Sequence, residues 1–173
     1  EVLTQERDPD ALGQAIREMR ARMLAEHGSS DSGAFHLKQD RGGLVDVDFL
    51  VQYLCLRHAP ASPAILEPNT RAALRVLAAH GHLDADTADR LEQAYALYRT
   101  LENRIKLFED RADAQITPDP TWREQVDRLV TPEERPVVER IDTARGEVRE
   151  AFDRIVGPPE PPGTGGRLRR ASS

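Results

Sequence analysis

Apolar residues in this chain recur at every third or fourth position, in one stretch after another. That spacing constrains the fold more than any other feature. Between residues 84 and 110, Leu91, Tyr95, Tyr98, Leu101, Ile105 and Phe108 step by three or four, which places them on one face of a helix. At ~1.5 Å per residue such a helix is on the order of 40 Å long. Leu12, Ile16, Met19 and Met23 repeat the pattern over 10–27, and Ala73, Leu74 and Leu77 over 69–80. Trp122, Val126 and Leu129 do so over 122–130. A last helix is announced by Thr131-Pro132-Glu133-Glu134, a capping box with Pro at its first turn. Val137 or Val138, Ile141, Val148, Phe152 and Ile155 form its apolar stripe. With the run Leu44–Leu56 this makes six helices, punctuated by Gly28, Pro60–Pro68, Gly81, Pro118 and Pro120. No set of alternating segments suggests a sheet. The expected fold is therefore all-α, a bundle of about six helices.

Aromatic residues make up only 5% of the 173 residues, so aliphatic side chains and Ala must fill the core. A formal charge of −6 argues against a generic nucleic-acid binder, which needs a basic footprint. No apolar run reaches the ~18–20 residues of a membrane span. The lone Cys55 cannot form an internal disulfide or a Cys-based zinc site, and a reducing cytoplasm is the simplest compartment. Residues 157–173 are rich in Pro, Gly and Arg and read as a disordered tail beside a helical domain spanning 1–156. The chain opens Glu1-Val2-Leu3 without an initiator Met. It is therefore expected to be a processed product, or part of something longer.

The chemistry-bearing stretch is Gly42-Gly43-Leu44-Val45-Asp46-Val47-Asp48-Phe49. Two carboxylates two residues apart can chelate metal on a strand, where i and i+2 point the same way. Here the consecutive apolar residues Phe49, Leu50 and Val51 favour a helix. On a helix Asp46 and Asp48 diverge by about 200° and cannot share one ion. Asp46 then shares a face with Leu50, Tyr53 and Arg57. A helix start after two glycines, with Lys38 and Arg41 beside it, can receive a phosphate. Equally, the glycines can simply permit a tight entry while the carboxylates complement the helix dipole. The five histidines show no His-x-x-x-His spacing. Cys55, Tyr95, Tyr98 and Trp122 read as core residues.

Residues 35–58, Phe-His-Leu-Lys-Gln-Asp-Arg-Gly-Gly-Leu-Val-Asp-Val-Asp-Phe-Leu-Val-Gln-Tyr-Leu-Cys-Leu-Arg-His, resemble the signature of the glutamine synthetase adenylyltransferase family. That signature has the form F-x-[LI]-K-x-x-x-G-G-[LI]-x-D-[IV]-E-F-x-x-Q-Y-L-x-L-R. Upstream, Ile16-Arg-Glu-Met-Arg-Ala-Arg-Met23 resembles the family's "REMR-x-x-M" helix. Downstream, Asn69-Thr70, Ala73-Leu74, Leu77, Ala94-Tyr95 and Leu101-Glu102 resemble its "NT…AL…L" and "AY…LR-x-LE" helices. The likeness covers about residues 12–110. Asp48 stands where the family's pattern has Glu, one methylene longer.

The resemblance implies the helical domain that follows a nucleotidyltransferase core, most like that of the carboxy-terminal, adenylylating half. It implies that the whole enzyme uses ATP and Mg²⁺ to place AMP on a Tyr of glutamine synthetase. Lys38, Arg41, Gly42, Gly43, Asp46 and Asp48 would line the cleft toward the nucleotide or the core. The family's catalytic Gly-Ser…Asp-x-Asp strand and its Asp-x-Arg-Leu-Arg-Pro segment do not occur in this sequence. No catalytic or metal-ligating residue is therefore expected here, and the chain alone should be inactive. The partners implied are the core of the same parent chain, glutamine synthetase and a PII signalling protein. The alternatives are a non-catalytic module that binds glutamine synthetase or PII, and the equivalent domain of the deadenylylating half or of the related uridylyltransferase.

Overall fold

The computed structural model describes residues 7–28, 33–109, 115–129 and 135–160. Within them six α-helices run in the order α1 (Pro9–His27), α2 (Leu44–His58), α3 (Thr70–Ala79), α4 (Ala85–Glu109), α5 (Pro120–Leu129) and α6 (Val137–Ile155). The all-α bundle expected from periodicity is what forms. Two strands of two residues, β1 (Phe35–His36) and β2 (Gln115–Ile116), pair antiparallel with Phe35 opposite Ile116. This small ribbon is a correction to the strand-free reading. Two residues are too few for an alternating pattern to register.

The helix boundaries have identifiable chemical causes. Asp8 caps α1 by accepting from the Asp10 N–H at 3.0 Å, and Pro9 occupies its first position. Asn69 caps α3 through the Ala72 N–H at 3.0 Å. The Asp84 carboxylate accepts from the Thr87 N–H at 3.0 Å ahead of α4. Gly81, at φ 75°, carries the chain out of α3 in the left-handed region.

The last helix corrects the reading of its start. It begins at Val137 with Pro136 as N-cap. The capping box at 131–134 lies outside the described residues. Pro136 explains the later start, because its ring bars Arg135 from helical conformation and denies the helix interior an N–H. The Asp127 carboxylate accepts the Val137 N–H at 2.6 Å, tying α5 to the head of α6. Of the tail reading for 157–173, residues 161–173 lie outside the described residues.

Helix α2 is the centre of the domain. It packs against α1, α3, α4 and α6, and α4 also packs along α3 and α6. Leu44, Val45, Val47, Leu50, Val51, Tyr53, Leu54 and Cys55 are all buried, as expected of a helix apolar around most of its circumference. Cys55 and Tyr98 take the core positions expected of them, while Tyr95 and Trp122 are half-buried.

Helix α1 departs from its expected stripe. Its buried residues are Gly13, Ile16 and Arg20, while Met19 is 47% exposed. A buried arginine turns the helix away from the purely apolar face. The partner of that arginine is in α2.

Candidate functional site

The first turn of α2 and the loop before it form a buried polar clasp. The Asp46 side chain is 0% exposed, and so is that of Arg20. Arg20 Nε donates to Asp46 Oδ1 at 2.5 Å. Arg41 Nη1 and the Gly42 N–H both donate to Oδ2, at 2.8 and 2.7 Å. Arg20 Nη2 also donates to the carbonyls of Gln39 and Asp40, at 2.6 and 3.1 Å. One carboxylate and one guanidinium thus hold most of the loop. Arg41 reaches on to Asp153 of α6, with its guanidinium 5.2 Å from the centre of the Phe152 ring.

Two more residues close the clasp from the other side. Tyr98 of α4 donates its hydroxyl to the Gly42 carbonyl at 2.8 Å. Burial pushes the phenol of Tyr98 well above its ordinary pKa, so it stays a donor. Arg145 of α6 donates from Nε to the Arg41 carbonyl at 3.1 Å and lies over the Phe35 ring at 4.4 Å.

The glycine pair is explained by this crowding. Gly42 sits at φ 84°, and a Cβ there would come within 2.5 Å of the Arg145 carbonyl. A Cβ on Gly43 would meet the Leu37 carbonyl at 2.5 Å. The backbone N–H groups at this helix start are engaged by the loop itself. Gly43 donates to Asp40, Leu44 to Leu37 and Val45 to Lys38, at 2.9, 3.0 and 3.1 Å. A phosphate arriving here would meet side chains rather than these three N–H groups.

The residues singled out from sequence therefore separate into two groups. Arg41, Gly42, Gly43 and Asp46 belong to the clasp. Lys38 and Asp48 face outward, on a second surface that other elements complete. Thr70 Oγ1, at the head of α3, donates to Asp48 Oδ1 at 2.8 Å. The phenol of Tyr95 from α4 lies against the same carboxylate and hydroxyl, and Arg99, one turn further, places its charge nearby. Burial pushes the Asp48 carboxyl above the usual range, opposed by Thr70, Tyr95, Arg99 and Lys38. Beside Asp48 and Thr70 opens a groove of about 400 Å³, lined by Val51, Gln52, Cys55, Leu56, Leu66 and Pro68.

Asp46 and Asp48 point to opposite sides of α2, as helical geometry requires, so they cannot share an ion. Among the described residues no group of three or more His, Cys, Asp or Glu is placed to hold a metal. No helix among them is long and apolar enough to cross a membrane. His82, just beyond α3, stacks on His58 at 4.1 Å between ring centres. Burial, His82 and Arg57 lower the His58 pKa.

Sequence reasoning missed Arg20 because a charged residue is placed outside by default, and missed Arg99 and Arg145 because their neighbours come from other helices. Arg20 nonetheless lies in the REMR stretch, and Thr70 and Tyr95 in the downstream stretches that carried the resemblance.

The clasp and the outward face lie within one alignment. Residues 10–156 match the profile of the GlnD PII-uridylyltransferase family. The chain belongs to that family. Individual relatives sharpen the placement. The chain is 41% identical over 108 residues to the bifunctional glutamine synthetase adenylyltransferase/adenylyl-removing enzyme of Nitrosococcus oceani, covering 62% of this chain and 11% of that protein. It is 39% identical over 116 residues to the enzyme of the same name in Chromobacterium violaceum, covering 66% of this chain and 12% of that one. The Rhodopseudomonas palustris (strain HaA2) protein of that name is 35% identical over 157 residues, which is 90% of this chain and 16% of its own length. The chain thus spans between a tenth and a sixth of the relatives it matches. Kinship to the adenylyltransferases, expected from the motif, is shown.

Proposed function

We propose that this chain is the helical companion of a nucleotidyltransferase core, in a cytoplasmic enzyme that transfers AMP from ATP to a tyrosine of glutamine synthetase. The observation that carries the reading is the clasp. A buried ion-paired network fixes a loop whose outward residue is a lysine, in the stretch that resembles the adenylyltransferase signature and lies within the residues the family profile matches. Spending a buried charge pair to fix a loop makes sense where position matters more than stability.

In this reading residues 1–156 form the working domain and 157–173 a tail. Arg41, Gly42, Gly43 and Asp46 hold the cleft wall, and Lys38 and Asp48 face the nucleotide or the core. ATP supplies the AMP group, and Lys38 is the cation here that fits its phosphates. Mg²⁺ does not fit this chain's carboxylates. Asp46 is saturated by two guanidiniums and an N–H, and Asp48 points the other way. The metal would be held by the core. Glutamine synthetase and a PII protein are the proposed external partners.

The family profile supports a second reading, the equivalent domain of a uridylyltransferase. Assaying the full parent polypeptide with ATP and glutamine synthetase, and separately with UTP and PII, distinguishes the two. The expected result is adenylyl transfer by the parent and none by these 173 residues alone. Transfer by the isolated chain, or uridylyl transfer alone by the parent, overturns the proposal.

A further inference from the structure

Three cavities among the described residues differ in what they can receive. The largest, about 520 Å³ between α4 and α6, has Arg135 and Arg140 in its wall. A notch of about 190 Å³ mixes Asp84, Asp86, Glu147 and Glu150 with Arg90 and Arg154. The groove on α2 is different. Val51, Cys55, Leu56, Leu66 and Pro68 make it apolar, and both charged residues that line it, Asp48 and Glu67, are carboxylates. Such a slot suits an apolar side chain set between cations.

The chain carries such a segment beyond α6. Leu168 is the one branched aliphatic side chain in residues 161–173, and Arg167, Arg169 and Arg170 flank it. This stretch has no acidic residue, while the whole chain carries −6. Charge draws it toward carboxylates and away from the arginine-lined cavities. Its reach is sufficient. Just past α6, the Val156 carbonyl accepts from Arg17 Nη1 of α1 at 3.0 Å. A Cβ on Gly13 would lie 3.9 Å from that carbonyl and 3.7 Å from the Tyr53 ring, so α6 ends beside α2. Tyr53 is about 200° around α2 from Val51 and Cys55. Passing half-way round a helix of ~10–12 Å diameter takes roughly 17 Å. The chain from Val156 to Leu168 spans up to ~40 Å when extended, which leaves length to pass over a neighbouring helix.

We propose that the α2 groove is the docking site for residues 167–170 of this same chain, with Leu168 in the slot and the flanking guanidiniums at Glu67 and Asp48. Exposed ion pairs contribute little, so Leu168 supplies most of the affinity and the arginines select the cavity. One Glu67 carboxylate oxygen accepts the Asn69 N–H at 3.0 Å, which fixes the side chain and leaves the other oxygen for a guanidinium. Arg99 does not compete, because Glu102 holds it at 2.8 Å. The docked segment is a removable cover on the side of α2 that carries Asp48. This inference goes beyond the reading of the parent as an AMP-transferring enzyme and does not depend on it.

Cys55 is the single thiol of the chain, lines the groove and is 9% exposed, so it reports whether the slot is filled. The test measures the rate at which Cys55 of the full 173-residue chain reacts with a soluble thiol reagent, with the rate in urea as the unfolded reference. Leu168→Asp should raise the rate about tenfold, the scale of one leucine side chain withdrawn from an apolar site. Leu168→Met should keep it near wild type. Glu67→Lys should raise it about twofold, an effect that fades in high salt. Equal rates in wild type and Leu168→Asp overturn the proposal, whether both are slow or both match the unfolded reference. So does a wild-type rate that rises on dilution, which assigns the groove to a second copy. No step of this test uses ATP or glutamine synthetase. A parent that fails to adenylylate therefore leaves this proposal standing, and an unprotected Cys55 leaves the functional reading standing.

Discussion

Asp46 and Asp48 are the same residue type, two positions apart on one helix, yet they face opposite sides of it. Asp46 is fully buried and saturated by Arg20, Arg41 and the Gly42 N–H. Asp48 faces outward, held by the Thr70 hydroxyl at 2.8 Å with the Tyr95 phenol against it, and with cations near but none bonded to it. A helical turn of 3.6 residues makes the split unavoidable. The clasp spends charge to fix a loop, and the outward face keeps charge available. The buried region should therefore respond to substitution through stability, and the exposed region through binding.

The largest effect should come from breaking the clasp at its hub. Asp46→Ala strands the buried Arg20 guanidinium with carbonyl partners only. Removing one member of a buried pair costs about 3–5 kcal/mol. Urea unfolding followed by circular dichroism should show that loss as a lower midpoint at unchanged slope. A loss under about 1 kcal/mol would mean the loop relaxes and hydrates Arg20, and the comparison with Asp48 would lose its basis.

A smaller effect is expected one step out from the hub. Tyr98→Phe keeps the ring against Phe35, whose centre lies 6.1 Å away, but removes the donor to the Gly42 carbonyl. An unsatisfied buried acceptor costs about 1–3 kcal/mol. Thermal unfolding should register the change, and ATP affinity in the parent should follow only as far as the loop loosens. Affinity falling far more than stability would make Tyr98 part of the outward face.

The division between these regions was only half visible in the sequence. Helix periodicity located five of the six helices, because an apolar stripe is a local property that survives any tertiary arrangement; α2, apolar around most of its circumference, was legible in its consecutive apolar residues. The divergence of Asp46 and Asp48 followed from the same geometry. The partners of each carboxylate did not. Arg20 lies 26 positions from Asp46, and an arginine carries no mark in sequence of whether it will be buried. Thr70, Tyr95 and Arg99 reach Asp48 from two other helices, a convergence set by packing rather than spacing. The true start of α6 was legible in Pro136, but the capping box ahead of it gave a stronger local signal and drew the boundary too early.

The subtlest prediction has the opposite sign from the others. Folding raises the Asp48 pKa, chiefly by burial, so the folded state holds that proton more tightly than the unfolded chain does. Ionising Asp48 therefore costs stability. The cost is absent below the ordinary carboxylate range, where both states are protonated. It grows as pH rises through that range and is complete above the raised value. Asp48→Asn removes the cost while keeping an acceptor for Thr70. At neutral pH the variant should unfold at a slightly higher temperature than wild type, and the two curves should converge on acidification. In the parent polypeptide the same variant should bind ATP a few-fold more weakly, because the carboxylate proposed to face the nucleotide has lost its charge. Stability and affinity moving in opposite directions would mark a charge retained for its ligand against the preference of the fold. A variant that is less stable at neutral pH, or that binds ATP as tightly as wild type, would make Asp48 ordinary helix surface and leave the clasp as the motif's sole purpose.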